Sequence, residues 1–242
     1  MANDQVRARL VELLNDLRAE QQTFLAALNE AERDATGTAD SWAVKDVFAH
    51  ITTWKARSAE RLRYAARGET PPDTRDFETF NARDFEEHRE QSWAAVQTDE
   101  ARVHDELLAA VRQLSDDTLA DPSRFAWMNG EPLCVTVLSN GVWHPQDHLV
   151  KLWLARGAME RAQRIQDRVA AALTQSGLPD AVRGMAIYNL ACVYATTGQP
   201  QQALAALPEG LRLHPRLVVD ARTDPDFTSL RDLPAFQALV AE

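Results

Sequence analysis

Cysteine is scarce in this chain: Cys134 and Cys192 are the only two in 242 residues, and they form no CxxC pair. That scarcity excludes a disulfide framework and a thiolate zinc site, and leaves reduced thiols as the expectation. Long apolar runs are missing as well. No stretch approaches the roughly 18 uninterrupted apolar residues of a membrane-spanning helix. The N-terminus, Met-Ala-Asn-Asp-Gln-Val-Arg, enters a helical pattern without the basic-then-apolar order of a secretory leader. A soluble, cytoplasmic protein is expected. Positive charge is in deficit, with 26 Lys and Arg against 36 Asp and Glu and a formal net charge of -10. Nucleic acid and anionic membranes reward concentrated Lys and Arg, so neither is expected as a partner, whereas a small-molecule substrate is untouched by this argument. The sequence also has no GxSxG, no phosphate-cradling glycine loop and no HExxH. Nucleophile-led hydrolysis and nucleotide chemistry therefore lack support. Sustained strand-like alternation is absent too, which points to an all-α protein.

What is present is helical periodicity. Apolar residues at Val6, Leu10, Leu13, Leu17, Phe24 and Leu28 make one stripe of a first long helix. Thr36-Gly37-Thr38-Ala39-Asp40 ends it, and Asp40 or Ser41 is placed to cap a second helix with a stripe of Val44, Val47, Phe48, Ile51, Trp54 and Leu62. After the loop Gly68-Glu69-Thr70-Pro71-Pro72-Asp73, a third helix is expected from about Asn81, carrying Trp93, Val96, Val103, Leu107, Val111 and Leu114. Its charged residues, Glu86, Glu87, Arg89 and Glu90 among them, are expected on a solvated face. The connection from Ser115 to Glu131 contains Phe125, Trp127 and Met128, so it should pack as a cover that borders a pocket. A fourth helix runs from near Leu133 towards Ala172. Gly141 and Pro145 interrupt it, and the proline should either kink that helix or mark a true helix start.

All six tryptophans precede residue 154, after which the chain becomes alanine-rich. This places a four-helix bundle at residues 1–172 and a second helical unit at 179–242, hinged at Gly177-Leu178-Pro179-Asp180. In that unit Leu190, Ala191, Tyr194, Gly198, Ala203, Leu207 and Pro215 take the spacing of one tetratricopeptide (TPR) hairpin, with Pro208 departing from the pattern. One hairpin cannot bury its own face. It must lean on the bundle, on the segment from Val218 to Glu242, or on another chain, which leaves a homodimer and a separate protein partner open.

Three histidines stand out. His50 lies on the apolar stripe of the second helix, and His144 and His148 are one turn apart on the fourth. One helix can thus offer two imidazoles to a divalent metal and another the third, leaving an open position of the kind a catalytic metal needs. Zinc, nickel and iron(II) all suit neutral imidazoles. The alternatives are an interior hydrogen-bonded histidine cluster and a site that has lost its metal. Asp46, one turn before His50, is either an acceptor that orients it or an acid stabilised at the helix start. Trp54 and Trp153 are either pocket walls or core. His88, His104 and His214 receive no role, and no catalytic residue is assigned.

The run Ser41-Trp42-Ala43-Val44-Lys45-Asp46-Val47-Phe48-Ala49-His50-Ile51-Thr52-Thr53-Trp54 resembles the second helix of DinB/YfiT-like four-helix bundles, in particular their ClbS/DfsB branch. Four more blocks match in order: Gly68-Glu69-Thr70-Pro71-Pro72; Phe80-Asn81-Ala82-Arg83; Arg124-Phe125-Ala126-Trp127 with Gly130 and Pro132-Leu133; and the His144–His148 pair. The resemblance covers roughly residues 5–165. Residues 179–242 separately resemble a tetratricopeptide end unit, through Asp224-Pro225-Asp226-Phe227, Leu230-Arg231-Asp232 and Pro234-Ala235-Phe236. The resemblance implies a divalent metal on His50, His144 and His148, with Pro145 placing the aim of His144 in question. Relatives include thiol-dependent transferases and isomerases and a cyclopropane hydrolase that detoxifies a genotoxin. The expectation is a hydrolase or thiol-dependent transferase acting on a small electrophilic or toxic molecule. The competing expectation is a non-catalytic protein that sequesters a ligand or works through its TPR-like tail.

Overall fold

In a computed structural model of the protein, residues 5–72, 76–174 and 177–241 are described. The N-terminal Met1, Ala2, Asn3 and Asp4, Asp73 at the end of the first proline loop, and Glu242 lie outside them. Among the described residues the chain is helical throughout and no strand is formed. No helix there is long and apolar enough to cross a membrane.

Helix α1, Gln5–Ala26, buries Val6, Leu10, Leu13, Leu14, Leu17, Phe24 and Leu25 on the expected stripe. A one-turn helix α2, Glu30–Asp34, follows. Asn29 caps it by accepting from the Glu32 amide, and Glu32 returns the bond to the Asn29 amide. Helix α3, Val44–Ala66, starts later than Asp40 or Ser41 would cap it. The cap comes instead from inside the helix, where Asp46 Oδ2 accepts from the amides of Ala43 at 2.9 Å and Gly37 at 3.0 Å. The third expected helix is two: α4, Phe77–His88, and α5, Trp93–Gln113, the second capped by Ser92. Helix α6, Asp116–Ala120, lies in the connection after α5, and Asp116 accepts from the amides of Val6 and Arg7 to close the N-terminus of α1.

The fourth long element has three parts: α7, Cys134–Leu138, a wide turn at Ser139–Trp143, and α8, His144–Ala155. In the wide turn the His144 amide donates to the Ser139 carbonyl, five residues back. This is where Gly141 and Pro145 are accommodated. A proline ring clashes with the carbonyl four residues before it, here that of Gly141, and an opened turn relieves that clash. Gly141 has a separate reason to be glycine. A Cβ placed there would stand 2.5 Å from Leu14 Cδ2 and 3.4 Å from Leu107 Cδ2, so α1 and α5 approach this turn as closely as they do only because it carries no side chain. The helix does not continue towards Ala172. Gly157, with φ of 73°, ends it, and α9, Met159–Thr174, begins anew.

Cα packing separates two compact units, Met1–Ile165 and Gln166–Glu242. In the first, α3 packs on α5 and α8, and α1 on α5, α7 and α8, around Leu10, Leu14, Ile51, Leu62, Leu107 and Leu133. The bundle interior also holds Lys55, only 2% exposed, whose Nζ donates to Gln21 Oε1 at 3.0 Å and to Glu100 Oε1 at 3.4 Å. In the second unit α10, Asp180–Thr196, and α11, Pro200–Leu213, form an antiparallel hairpin. They meet at two glycines: a Cβ on Gly184 would lie 2.8 Å from the Gly210 carbonyl oxygen. The hairpin's apolar face, with Ala191, Ala203, Leu207 and Leu211, is covered by the chain's own end: Leu217 from α12, Leu217–Ala221, Phe227 from the 3-10 turn Pro225–Phe227, Leu230 just after it, and Phe236 from α13, Pro234–Val240.

The close approach at Gly141 yields a stability prediction. Gly141→Val should destabilise the bundle by about 2 kcal/mol through overpacking against Leu14. Tryptophan fluorescence in a urea titration reads the bundle selectively, since every tryptophan lies between residues 42 and 153. A midpoint unchanged within about 0.5 kcal/mol equivalent would show that α1 yields and that the glycine is not required.

Candidate metal centre

The three histidines picked out by spacing come together between α3 and α8. His144 Nε2 lies 3.1 Å from His50 Nε2 and 2.9 Å from His148 Nε2, and one nitrogen from each residue falls within 4.8 Å of the others. His50 is buried, and His144 and His148 are half-buried. Pro145 does not turn His144 away. The wide turn before it leaves His144 as the first residue of α8, one turn ahead of His148 and on the same side.

The proton positions decide whether this is a hydrogen-bonded cluster or a ligand set. His50 Nδ1 faces Asp84 Oδ2 at 3.3 Å. An ionised carboxylate only accepts, so the His50 proton sits on Nδ1 and its Nε2 presents a lone pair to the other rings. Burial, first, and the neighbouring imidazoles hold His144 down at about 3 and His148 at about 4, which keeps both neutral at physiological pH. A neutral His144 has one proton. Placed on Nε2, it can be donated to His50 or to His148 but not to both. Placed on Nδ1, it leaves His144 Nε2 facing the His50 lone pair, and Nδ1 is a buried atom with no hydrogen-bond partner. Neutral imidazoles alone therefore cannot close both contacts. A cation at the meeting point would accept all three lone pairs. Bonds of about 2.0–2.1 Å at angles between about 90° and 110° put nitrogens about 2.8–3.4 Å apart, the range into which both contacts of His144 fall. The donor set fits a divalent metal.

Asp84 on α4 supplies what Asp46 was a candidate for. Asp46 is occupied at the start of α3, whereas Asp84, 3% exposed, holds His50. Asp84 in turn lies 3.0 Å from His88 Nδ1, which also donates to the Asp84 backbone carbonyl at 2.8 Å. Burial works against the Asp84 charge, but hydrogen bonds from His50 and His88 more than offset it and pull the carboxyl down to about 2. The same contact raises His88 to about 9. His88 is thus tied to the site and not to a solvated face. His104 is buried as well, at 1% exposure, with Nε2 against Asn15 Oδ1. Trp42 lies edge-on to His50 at 4.8 Å between centroids. Trp153 is a core residue packed edge-on to Phe24 at 4.9 Å.

A cavity of about 400 Å³ opens onto His50 and His144 and is walled by Trp54, Phe77, Asn81 and Trp143. Through Trp54, Phe77, Ser139 and Asn140 it adjoins a larger one of about 590 Å³. The connection after α5 does border this space. Its 3-10 turn, Ala126–Met128, places Trp127 and Met128 in the wall of the larger cavity.

The Asp84–His88 contact has a pH signature. A raised His88 value means the pair's stabilisation is complete below the ordinary imidazole value of 6.5 and fades as pH rises through about 9. A lowered Asp84 value means that it persists above the ordinary 3.8 and is lost as pH falls through about 2. In an NMR titration His88 should titrate near about 9 in the native chain and return towards 6.5 in Asp84→Asn. A native His88 titrating near 6.5 would contradict the pairing.

Comparison with known proteins agrees with the helical bundle. A family model described as the DinB superfamily matches residues 2–150, whereas no curated protein and no solved structure matches the chain. The match spans more than half of the 242 residues and includes His50, His144, His148 and Asp84. The chain belongs to the DinB superfamily, whose members commonly bind a divalent metal.

Proposed function

We propose that His50, His144 and His148 hold a divalent metal, with zinc, nickel and iron(II) all chemically suited. On this reading the bundle, residues 1–172, is a cytoplasmic, detoxifying enzyme of the ClbS/DfsB kind: a hydrolase or thiol-dependent transferase that acts on a small electrophilic molecule. The observation that carries the reading is the convergence of three imidazole Nε2 atoms, beside a cavity that two of those residues line. Bound there, a divalent cation supplies Lewis acidity and makes a water or thiol more acidic.

The chain's own groups supply the rest. Asp84 keeps the proton of His50 on Nδ1 and so keeps its Nε2 available. Burial keeps His144 and His148 neutral, as ligands must be. Trp54, Phe77 and Trp143 line the cavity onto which His50 and His144 open and offer a substrate apolar surface there. Residues 179–242 are proposed as a TPR-like interaction unit. The close glycine-to-glycine crossing of α10 and α11 supports this, and exposed Val219 and Leu233 are contact points for a protein partner or a second copy.

Elemental analysis of the full chain, purified without a metal-affinity tag, tests the proposal. About one equivalent of a divalent transition metal is expected. His148→Ala should lose it while keeping its helical circular dichroism, since the flanking Leu149 and Val150 remain buried. Asp84→Asn should weaken metal binding by about 10–100-fold. Full metal content in the His148 variant would place the metal elsewhere. Retained turnover of an electrophile in a metal-free protein would make the metal a bystander.

A further inference from the structure

Two asparagines wall the cavity onto which His50 and His144 open, Asn81 from α4 and Asn140 from the wide turn before α8. Which way each carboxamide faces follows from what its partner can do. The indole N–H of Trp54 can only donate, and it meets Asn81 at 3.2 Å. The atom it meets is therefore Oδ1, and the NH2 group of Asn81 is turned away from the indole. Ser58 is fully buried and commits its one hydroxyl proton to the Thr136 carbonyl at 2.9 Å, so towards Asn140, at 3.0 Å, it can only accept. That fixes Nδ2 of Asn140 on the Ser58 side and leaves Oδ1 on the other. Among the described residues no further hydrogen bond engages Asn81 Nδ2 or Asn140 Oδ1.

One cavity is thus offered a donor by Asn81 and an acceptor by Asn140, each held in that sense by a partner that permits no other. The remaining lining narrows the ligand class. Ser139 can donate or accept and sets no preference, while Trp54, Phe77 and Trp143 offer flat apolar surface. Among the described residues that line this cavity there is no Asp, Glu, Lys or Arg. A charged group entering it would leave water and find no counter-charge on a wall side chain. A neutral group that carries an acceptor and a donor together satisfies both asparagines without that cost, and the carboxamide is the simplest such group.

We infer that this site takes a neutral small molecule bearing a carboxamide on a flat apolar body. Its carbonyl accepts from Asn81 Nδ2, its N–H donates to Asn140 Oδ1, and its body lies among Trp54, Phe77 and Trp143. Such a molecule is the substrate class of the proposed metal centre; what happens to it there rests on that reading, whereas its recognition does not.

The test uses the full chain and three probes of similar shape, benzamide, methyl benzoate and benzoate, titrated calorimetrically against zinc-loaded and chelator-stripped protein. Benzamide should bind at least about tenfold more tightly than methyl benzoate with or without zinc, because the ester has no N–H and leaves Asn140 Oδ1 unpaired beneath it. In the stripped protein benzoate should bind most weakly. Asn140→Ala should bring benzamide and methyl benzoate to equal affinity. Asn81→Asp still accepts from Trp54 but replaces the NH2 group with an oxygen, and should weaken both neutral probes at least about tenfold. Native circular dichroism checks the folding of each variant. His148 does not line the cavity, so His148→Ala should keep the benzamide preference, and a failed metal centre and a failed carboxamide site give different results. Three outcomes overturn the inference: no saturable benzamide binding, equal affinity for methyl benzoate, or a preference that survives both asparagine substitutions and vanishes without zinc. The last would put the carbonyl on the metal. If an asparagine variant does not fold, the probe series on the unaltered, stripped chain still decides between carboxamide recognition and its absence.

Discussion

The wide turn at Ser139–Trp143 is the constraint on which the site depends. One residue added to a turn rotates everything beyond it by about 100° around the helix axis. Without that rotation His144 and His148 would keep the phase set by α7, whose Val137 and Leu138 are fully buried in the core. The turn therefore lets one helical element serve the core with its first part and the histidine cluster with its second. Two residues make it tolerable. Gly141 gives room for Leu14, and Pro145, which lacks an amide to donate, falls where the regular ladder is already open. Residues that look like helix breakers are the ones that aim the ligand candidates.

A second constraint is electrostatic. A buried imidazole triad is useful to a cation only when neutral and only when its lone pairs face inwards. Burial secures the first condition for His144 and His148, and the Asp84 carboxylate secures the second for His50. Asp84 keeps its own charge in a nearly closed environment because His88 stands beside it. The resulting line from His88 through Asp84 to His50 ties α4 to α3, and it gives that short helix a function beyond covering the bundle.

Periodicity made much of this legible. Most of the stripes of α1, α3 and α5 could be read, although Val44, Trp54 and Trp93 are only half-buried and the buried Lys55 and Glu100 gave no apolar signal; His50 and the His144–His148 pair announced themselves by lying at helical spacing among apolar neighbours. Asp84 did not. It sits in the run Arg83-Asp84-Phe85-Glu86-Glu87, which reads as a solvated face, and its partner is 34 residues away on another helix. The available signal was Phe85, buried beside it. His104 was hidden in the same way, although Glu100, Val103, His104 and Leu107 form a stripe that does reach the interior. The break between α4 and α5 and the stop at Gly157 were missed because apolar spacing continues across both, while capping by Ser92 and a left-handed glycine end the helices locally. The wide turn was the least readable feature, since the contact of Gly141 with Leu14 that accommodates it is long-range.

The metal centre proposed here requires that three imidazoles of this chain, and no other side chains, coordinate one divalent metal. X-ray absorption at the edge of the metal found in the untagged protein reads that ligand set itself. The expected first shell contains three imidazole nitrogens at about 2.0–2.2 Å, with the outer-ring scattering characteristic of histidine, and no sulfur. A shell with a thiolate, or one of oxygens only, would contradict the proposal, because among the described residues no cysteine or carboxylate is grouped with the converging nitrogens of His50, His144 and His148.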